Sequence, residues 1–218
     1  MGFLTLLNRV DGNRRSIDFS PLKDQDVIVL VDNSTRMLRK GRWDEVGRVI
    51  GKLATKVWKC NNRGIVIHFL NQQAQASTKL KTRSKTVQLF DETTLYYGQP
   101  IGARLNDLFN QYVRDSYDED IGRTRVILVV SDGMSTDDLE SVLANISKRL
   151  DELEWSKTQL KIQLVQVGND WSATQFLQRL KEDLPAKHNI TDLVSIELCD
   201  GSPLTIAKLE GVLSKGFV

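Results

Sequence analysis

Five consecutive apolar residues, Val27-Ile28-Val29-Leu30-Val31, four of them β-branched, stop abruptly at Asp32. Such a run fits a strand buried on both faces, as in a parallel sheet covered by helices. Asn33, Ser34 and Thr35 follow, and all three favour turns. A second run, Val126 to Val130, ends in Ser131-Asp132-Gly133. In an open parallel sheet, ligands bind in the loops at the carboxyl ends of strands. Two strands ending in aspartate therefore predict two carboxylates side by side at one edge. An all-oxygen set of that kind suits Mg2+, Mn2+ or Ca2+. The same residues also suit a turn followed by a helix cap, with no ligand at all.

Between and after these runs the pattern alternates. Val46, Val49, Ile50, Leu53 and Val57 recur at helical spacing from Trp43 to Lys59, and Ile65 to Leu70 reads as a strand. A Lys-rich polar stretch from Asn71 to Ser84 precedes a predicted edge strand at Thr86 to Phe90. Gly98, Pro100 and Gly102 make a tight loop before a helix that runs to about Asp115, and Ser116 to Gly122 reads as an acidic linker. Thr136-Asp137-Asp138 is expected to cap a helix carrying Val142, Ile146, Leu150 and Leu153. Strand Ile162 to Val167, a helix ended by Pro185, strand Leu193 to Leu198 and a helix from Leu204 to Leu213 complete the chain. The prediction is an α/β, Rossmann-like fold: a mainly parallel six-stranded central sheet with helices on both faces. Residues 1–24 read as an amino-terminal arm and residues 25–218 as one domain.

Composition narrows the function. A net charge of +2 on 218 residues argues against a global field for nucleic acid or anionic membrane. Lys79, Lys81, Arg83 and Lys85 lack interleaved aromatics, and no apolar run approaches the ~20 residues that span a bilayer. Cys60 and Cys199 are far apart and outside zinc spacing, which fits a reducing compartment: cytoplasm, or alternatively nucleus. No P-loop, GxGxxG or nucleophile elbow is present, and the two histidines lie on different elements, so an enzyme is not expected.

The stretches Asp32-Asn33-Ser34-Thr35-Arg36, Gln99-Pro100-Ile101-Gly102 and Ser131-Asp132-Gly133 resemble the von Willebrand factor A domain family over roughly Asp26 to Leu213. The likeness is closest to fungal intracellular-type members, through His68-Phe69-Leu70-Asn71 and Gln166-Val167-Gly168-Asn169. That family's metal-ion-dependent adhesion site implies cation ligands at Asp32, Ser34 and Asp132. Its second serine is replaced here by Arg36 and its loop threonine by Gln99. A permanent positive charge at Arg36 repels a divalent cation. Two arrangements follow: Arg36 pairs with Asp32 or Asp132 in place of the metal, or it points outward and a weakened site survives through waters.

The reading taken from these departures is a non-catalytic protein-binding scaffold with a degenerate metal site and no cofactor. Its contact surface is the strand-end face, with Arg36, Tyr96, Tyr97, Gln99 and Met134 as partner-binding candidates. The alternative is divalent-metal-dependent, adhesion-type binding through Asp32, Ser34 and Asp132, and after it a metal-assisted hydrolase.

Overall fold

The computed structural model describes residues 22–71, 79–118, 124–155, 159–188, 190 and 193–215. In chain order these form β1 (Gln25–Val31), a 3-10 segment (Thr35–Gly41), α1 (Arg42–Asn61), β2 (Ile65–Phe69) and β3 (Lys79–Leu80). Then come α2 (Arg83–Asp91), α3 (Ile101–Asp118), β4 (Thr124–Ser131), α4 (Leu139–Glu152), β5 (Leu160–Gln166), α5 (Trp171–His188), β6 (Val194–Glu197) and α6 (Ile206–Lys215).

The strands lie in the order β3-β2-β1-β4-β5-β6. All neighbours are parallel except β3, which pairs antiparallel with β2. Val27 stands opposite Ile65 on one side and Val126 on the other. The order reverses direction between β1 and β4, and such a switch point opens a crevice at the strand ends. Both apolar runs are central strands, and this accounts for their lack of alternation. Val27, Val29 and Val31 face one core with α1 and α6; Leu30, Ile127 and Val129 face the other with α3, α4 and α5.

Two expectations are corrected. The segment Thr86–Phe90 is not an edge strand but part of α2, packed on α1. Thr86 and Phe90, one helical turn apart, are its buried residues, and Phe90 stacks on Trp43 at 4.6 Å. Gly47 of α1 permits this approach, because a Cβ there would lie 2.9 Å from the Phe90 ring. The sheet edge is β3 instead. Pro185 does not end α5, which continues to His188. Loss of one N–H is tolerated in a last turn that Lys187 and His188 tie to Glu140 of α4, at 3.3 and 3.2 Å.

At the amino-terminal side, packing already begins at Leu22, which is buried in the α1-side core. The rest of the expected arm, residues 1–21, lies outside the described residues, as do residues 72–78 of the Lys-rich stretch. The acidic linker is partly helical: α3 runs through Asp118, and residues 119–123 are not described.

Candidate functional site

The end of β1 is continuous with the pairing of the sheet: Asp32 N donates to Val130 O at 2.9 Å. This seats Asp32 beside the end of β4, and both Asp32 and Asp132 are fully buried. Asn33, also fully buried, locks the neighbouring loops. Its Oδ1 accepts from Asn71 N at 3.0 Å and its Nδ2 donates to Thr94 O at 3.1 Å. Ser34 and Tyr96 bridge in parallel, with Thr35 N donating to Tyr96 O at 2.8 Å. The loop before α3 is thereby drawn to the same edge.

Gln99 arrives on that loop held from both sides. Its backbone N–H donates to Thr136 Oγ1 at 3.1 Å, and its carbonyl accepts from Thr136 N at 2.9 Å. Its side chain turns inward. Nε2 donates to Asp32 Oδ2 at 2.5 Å and to Asp132 Oδ1 at 2.8 Å, one hydrogen to each carboxylate. Gln99 is 2% exposed, so its place in the expected contact surface is corrected: the amide is consumed between two carboxylates.

Arg36 approaches from the opposite side. Met37, fully buried, anchors the 3-10 segment, and Arg36 Nε donates to Asp132 Oδ2 at 2.5 Å. Its Nη2 lies 3.5 Å from Asp170 Oδ2. A second guanidinium, Arg42, reaches the same Asp132 oxygen at 3.8 Å. Arg42 is buried, and its head lies against Gly168, where a Cβ would come within 2.2 Å of it.

The remaining acceptors are also engaged. Asp32 Oδ1 accepts from Ser34 N at 2.7 Å, and Asp132 Oδ1 from Met134 N at 3.4 Å. The Ser34 hydroxyl is buried beside them, with no hydrogen-bond partner of normal geometry among the described residues. Burial pushes the Asp32 carboxyl above its usual range, against the hydrogen bonds from Gln99 and Ser34 that lower it. The bond to Asp132 raises Arg36, and the Ala173 N–H at the start of α5 lowers Asp170.

Of the sequence candidates, Asp32, Ser34, Asp132, Gln99 and Arg36 come together in one cluster. Tyr96 and Met134 sit on its rim, and Tyr97 is 90% exposed beside it. Sequence reasoning misses Arg42, Asp170 and Asn33, whose contacts depend on loop packing. It also misses Trp171, 75% exposed at the start of α5. A third strand ending in Gly168-Asn169-Asp170 is the available signal for Asp170. His68 stands apart from the carboxylates' donors. It is buried, its Nδ1 is 3.3 Å from Arg104 Nη2, and burial and that charge lower its pKa to about 4.

Among the described residues, no group of three or more His, Cys, Asp or Glu side chains is placed to hold a metal ion. Residues 26–196 match the von Willebrand factor type A domain. The chain belongs to that family. Domains of this family are generally modules of protein interaction and adhesion, and many of them bind divalent metal. The fold of this A domain is shared by several solved structures. The manganese-loaded TRAP protein of Plasmodium vivax is 13% identical over 90% of this chain and 74% of its own, with a TM-score of 0.56. An aerotolerance-related membrane protein of Bacteroides fragilis is 14% identical over 88% and 98%, with a TM-score of 0.58. Proximal thread matrix protein 1 of the mussel byssus is 12% identical over 88% and 47%, with a TM-score of 0.55. No curated protein sequence matches the chain.

Proposed function

We propose that this A domain is a non-catalytic protein-binding module whose strand-end face meets its partner without a cation. The observation that carries the reading is the placement of Arg36 and Gln99 on the two aspartates. All four carboxylate oxygens already accept from nitrogen donors or face a guanidinium. A divalent ion would have to displace the Gln99 amide from both carboxylates and approach two permanent positive charges. The donor set as arranged does not fit it, and the arginine pairing neutralises the buried carboxylates in its stead.

The binding half of the reading rests on what surrounds this cluster. Leu38, Tyr96, Tyr97 and Trp171 are the exposed large hydrophobic side chains among the described residues: Leu38 in the 3-10 segment after β1, Tyr96 and Tyr97 before α3, and Trp171 at the start of α5. Aromatic residues with arginine and methionine are the types enriched at interfaces. Both histidines are committed elsewhere, His68 to Arg104 and His188 to Glu140, which supports the non-catalytic reading. The wide separation of Cys60 and Cys199 in the sequence keeps a reducing compartment, cytoplasmic or nuclear, as part of this proposal.

Metal-dependent adhesion is the second reading. The buried Ser34 hydroxyl beside Asp32 favours it, as does the likeness to a manganese-loaded protein. Calorimetric titration of chelator-stripped protein with Mg2+, Mn2+ and Ca2+ separates the two. The native chain is expected to give no heat of binding, and Arg36→Ser with Gln99→Thr to gain a site. Micromolar binding by the native chain would put the second reading first.

A further inference from the structure

The strand-end edge carries exposed basic residues on the side of α1 and acidic ones on the side of α3 and α4, with Asp44 and Glu45 following in the first turn of α1. On the side of α1, the 3-10 segment breaks at Arg39 (ψ 128°) and Lys40 (φ 56°), turning Leu38, Arg39 and Lys40 out to solvent. Leu38 is 58% exposed, and neither cation makes a salt bridge or side-chain hydrogen bond among the described residues. On the side of α3 and α4 the charges are acidic and engaged. Asp137 accepts from Gly102 N and Ala103 N at 3.0 and 2.7 Å, and Asp138 caps α4 through Ser141 N at 3.1 Å. Tyr97 flanks the β1 loop through the Ser34–Tyr96 bridge, and Trp171 flanks it through the Arg36–Asp170 pair. Arg39 and Lys40 thus stand exposed beside the apolar Leu38, with Arg39 also acting through space on Asp170.

Resting on the metal-free protein-binding reading above, we infer that the partner presents an acidic protein segment. Its carboxylates meet Arg39 and Lys40, and its apolar side chains cover Leu38, Tyr97 and Trp171. Charge complementarity selects this occupant. A phosphatidylserine surface or a nucleic acid would bring dense negative charge over the whole edge, against Asp137, Asp138 and Asp170. A protein segment can place its acids on one side only. Arginine with large aromatics is also the composition of interface anchors, with a charged rim that steers the encounter.

The test is a random-peptide display library panned on the whole chain in chelator. Enriched peptides are then measured by fluorescence anisotropy on the native chain, on Arg39→Glu with Lys40→Glu, and on Trp171→Ala. These residues are solvent-facing, and circular dichroism checks that the variants keep their fold. The expected peptides carry clustered Asp or Glu beside aromatic or aliphatic residues, and the double charge reversal weakens them at least about tenfold. Replacing the peptide acids by lysine is expected to restore binding to the reversed protein. Peptides lost on Trp171→Ala but indifferent to the charge reversal would overturn the acidic partner while keeping the face. Peptides indifferent to both variants would overturn the face itself. Sedimentation with phosphatidylserine-rich vesicles, abolished by the charge reversal, would assign the ledge to lipid and overturn a protein partner.

Discussion

The guanidinium of Arg42 occupies the volume that a side chain at Gly168 would need, with its carbons and nitrogens as close as 2.2 Å to an ideal Cβ. Gly168 also has φ +80°, a conformation that L side chains rarely adopt. Gly168→Ala is therefore expected to cost about 2–4 kcal/mol in urea unfolding, more than a left-handed alanine alone. Arg42→Ala in the same chain should recover part of that cost. Strictly additive losses would mean that the two residues do not compete for space.

Gln99→Glu keeps the shape and replaces the bridging amide by a third acid between Asp32 and Asp132. The expected loss at neutral pH is about 3–5 kcal/mol, the scale of an unpaired buried charge. The loss should shrink as the medium is acidified and the acid becomes protonated. Unfolding curves at pH 7 and pH 5 check both statements.

His68 titrates near 4 in the folded chain against 6.5 when unfolded. A depressed histidine contributes stability that is complete above the unfolded value and is lost as pH falls toward the folded one. Between about pH 6.5 and pH 4 this single residue should remove up to about 3 kcal/mol. His68→Gln should flatten that part of the profile. An unchanged slope would show that other groups set it.

Phe90 joins α2 to Trp43 and Phe69, at ring separations of 4.6 and 5.6 Å. Phe90→Ala is expected to destabilise the chain by about 3–5 kcal/mol. Hydrogen exchange should quicken first in α2, since few other side chains of that helix are buried.

The sheet and its aspartate-ended strands are readable from the sequence because two-sided burial leaves unbroken apolar runs, as in Val27–Val31. The pairing of Arg36 with Asp132 is readable as one of two arrangements, since two buried like charges require a counter-charge or an ion. The inward turn of Gln99 is not, because a glutamine in a loop carries no periodic mark of burial. Arg42 and Asp170 escape for a related reason: each reaches the cluster through a residue distant in sequence, Asp132 for Arg42 and Arg36 for Asp170. The α2 helix is misread because only Thr86 and Phe90 are fully buried in it, too few to set a period against the half-buried Val87 and Leu89.

The Asp32 cluster draws on four separate loops, from Asp32 at one end to Asp170 at the other. Deletion mapping of a partner is thus blind to it. A fragment that stops anywhere before Asp170 forfeits one wall of the cluster. Negative results from truncated bait would say nothing about which loop the partner touches; point substitutions in the whole chain are the only cuts fine enough.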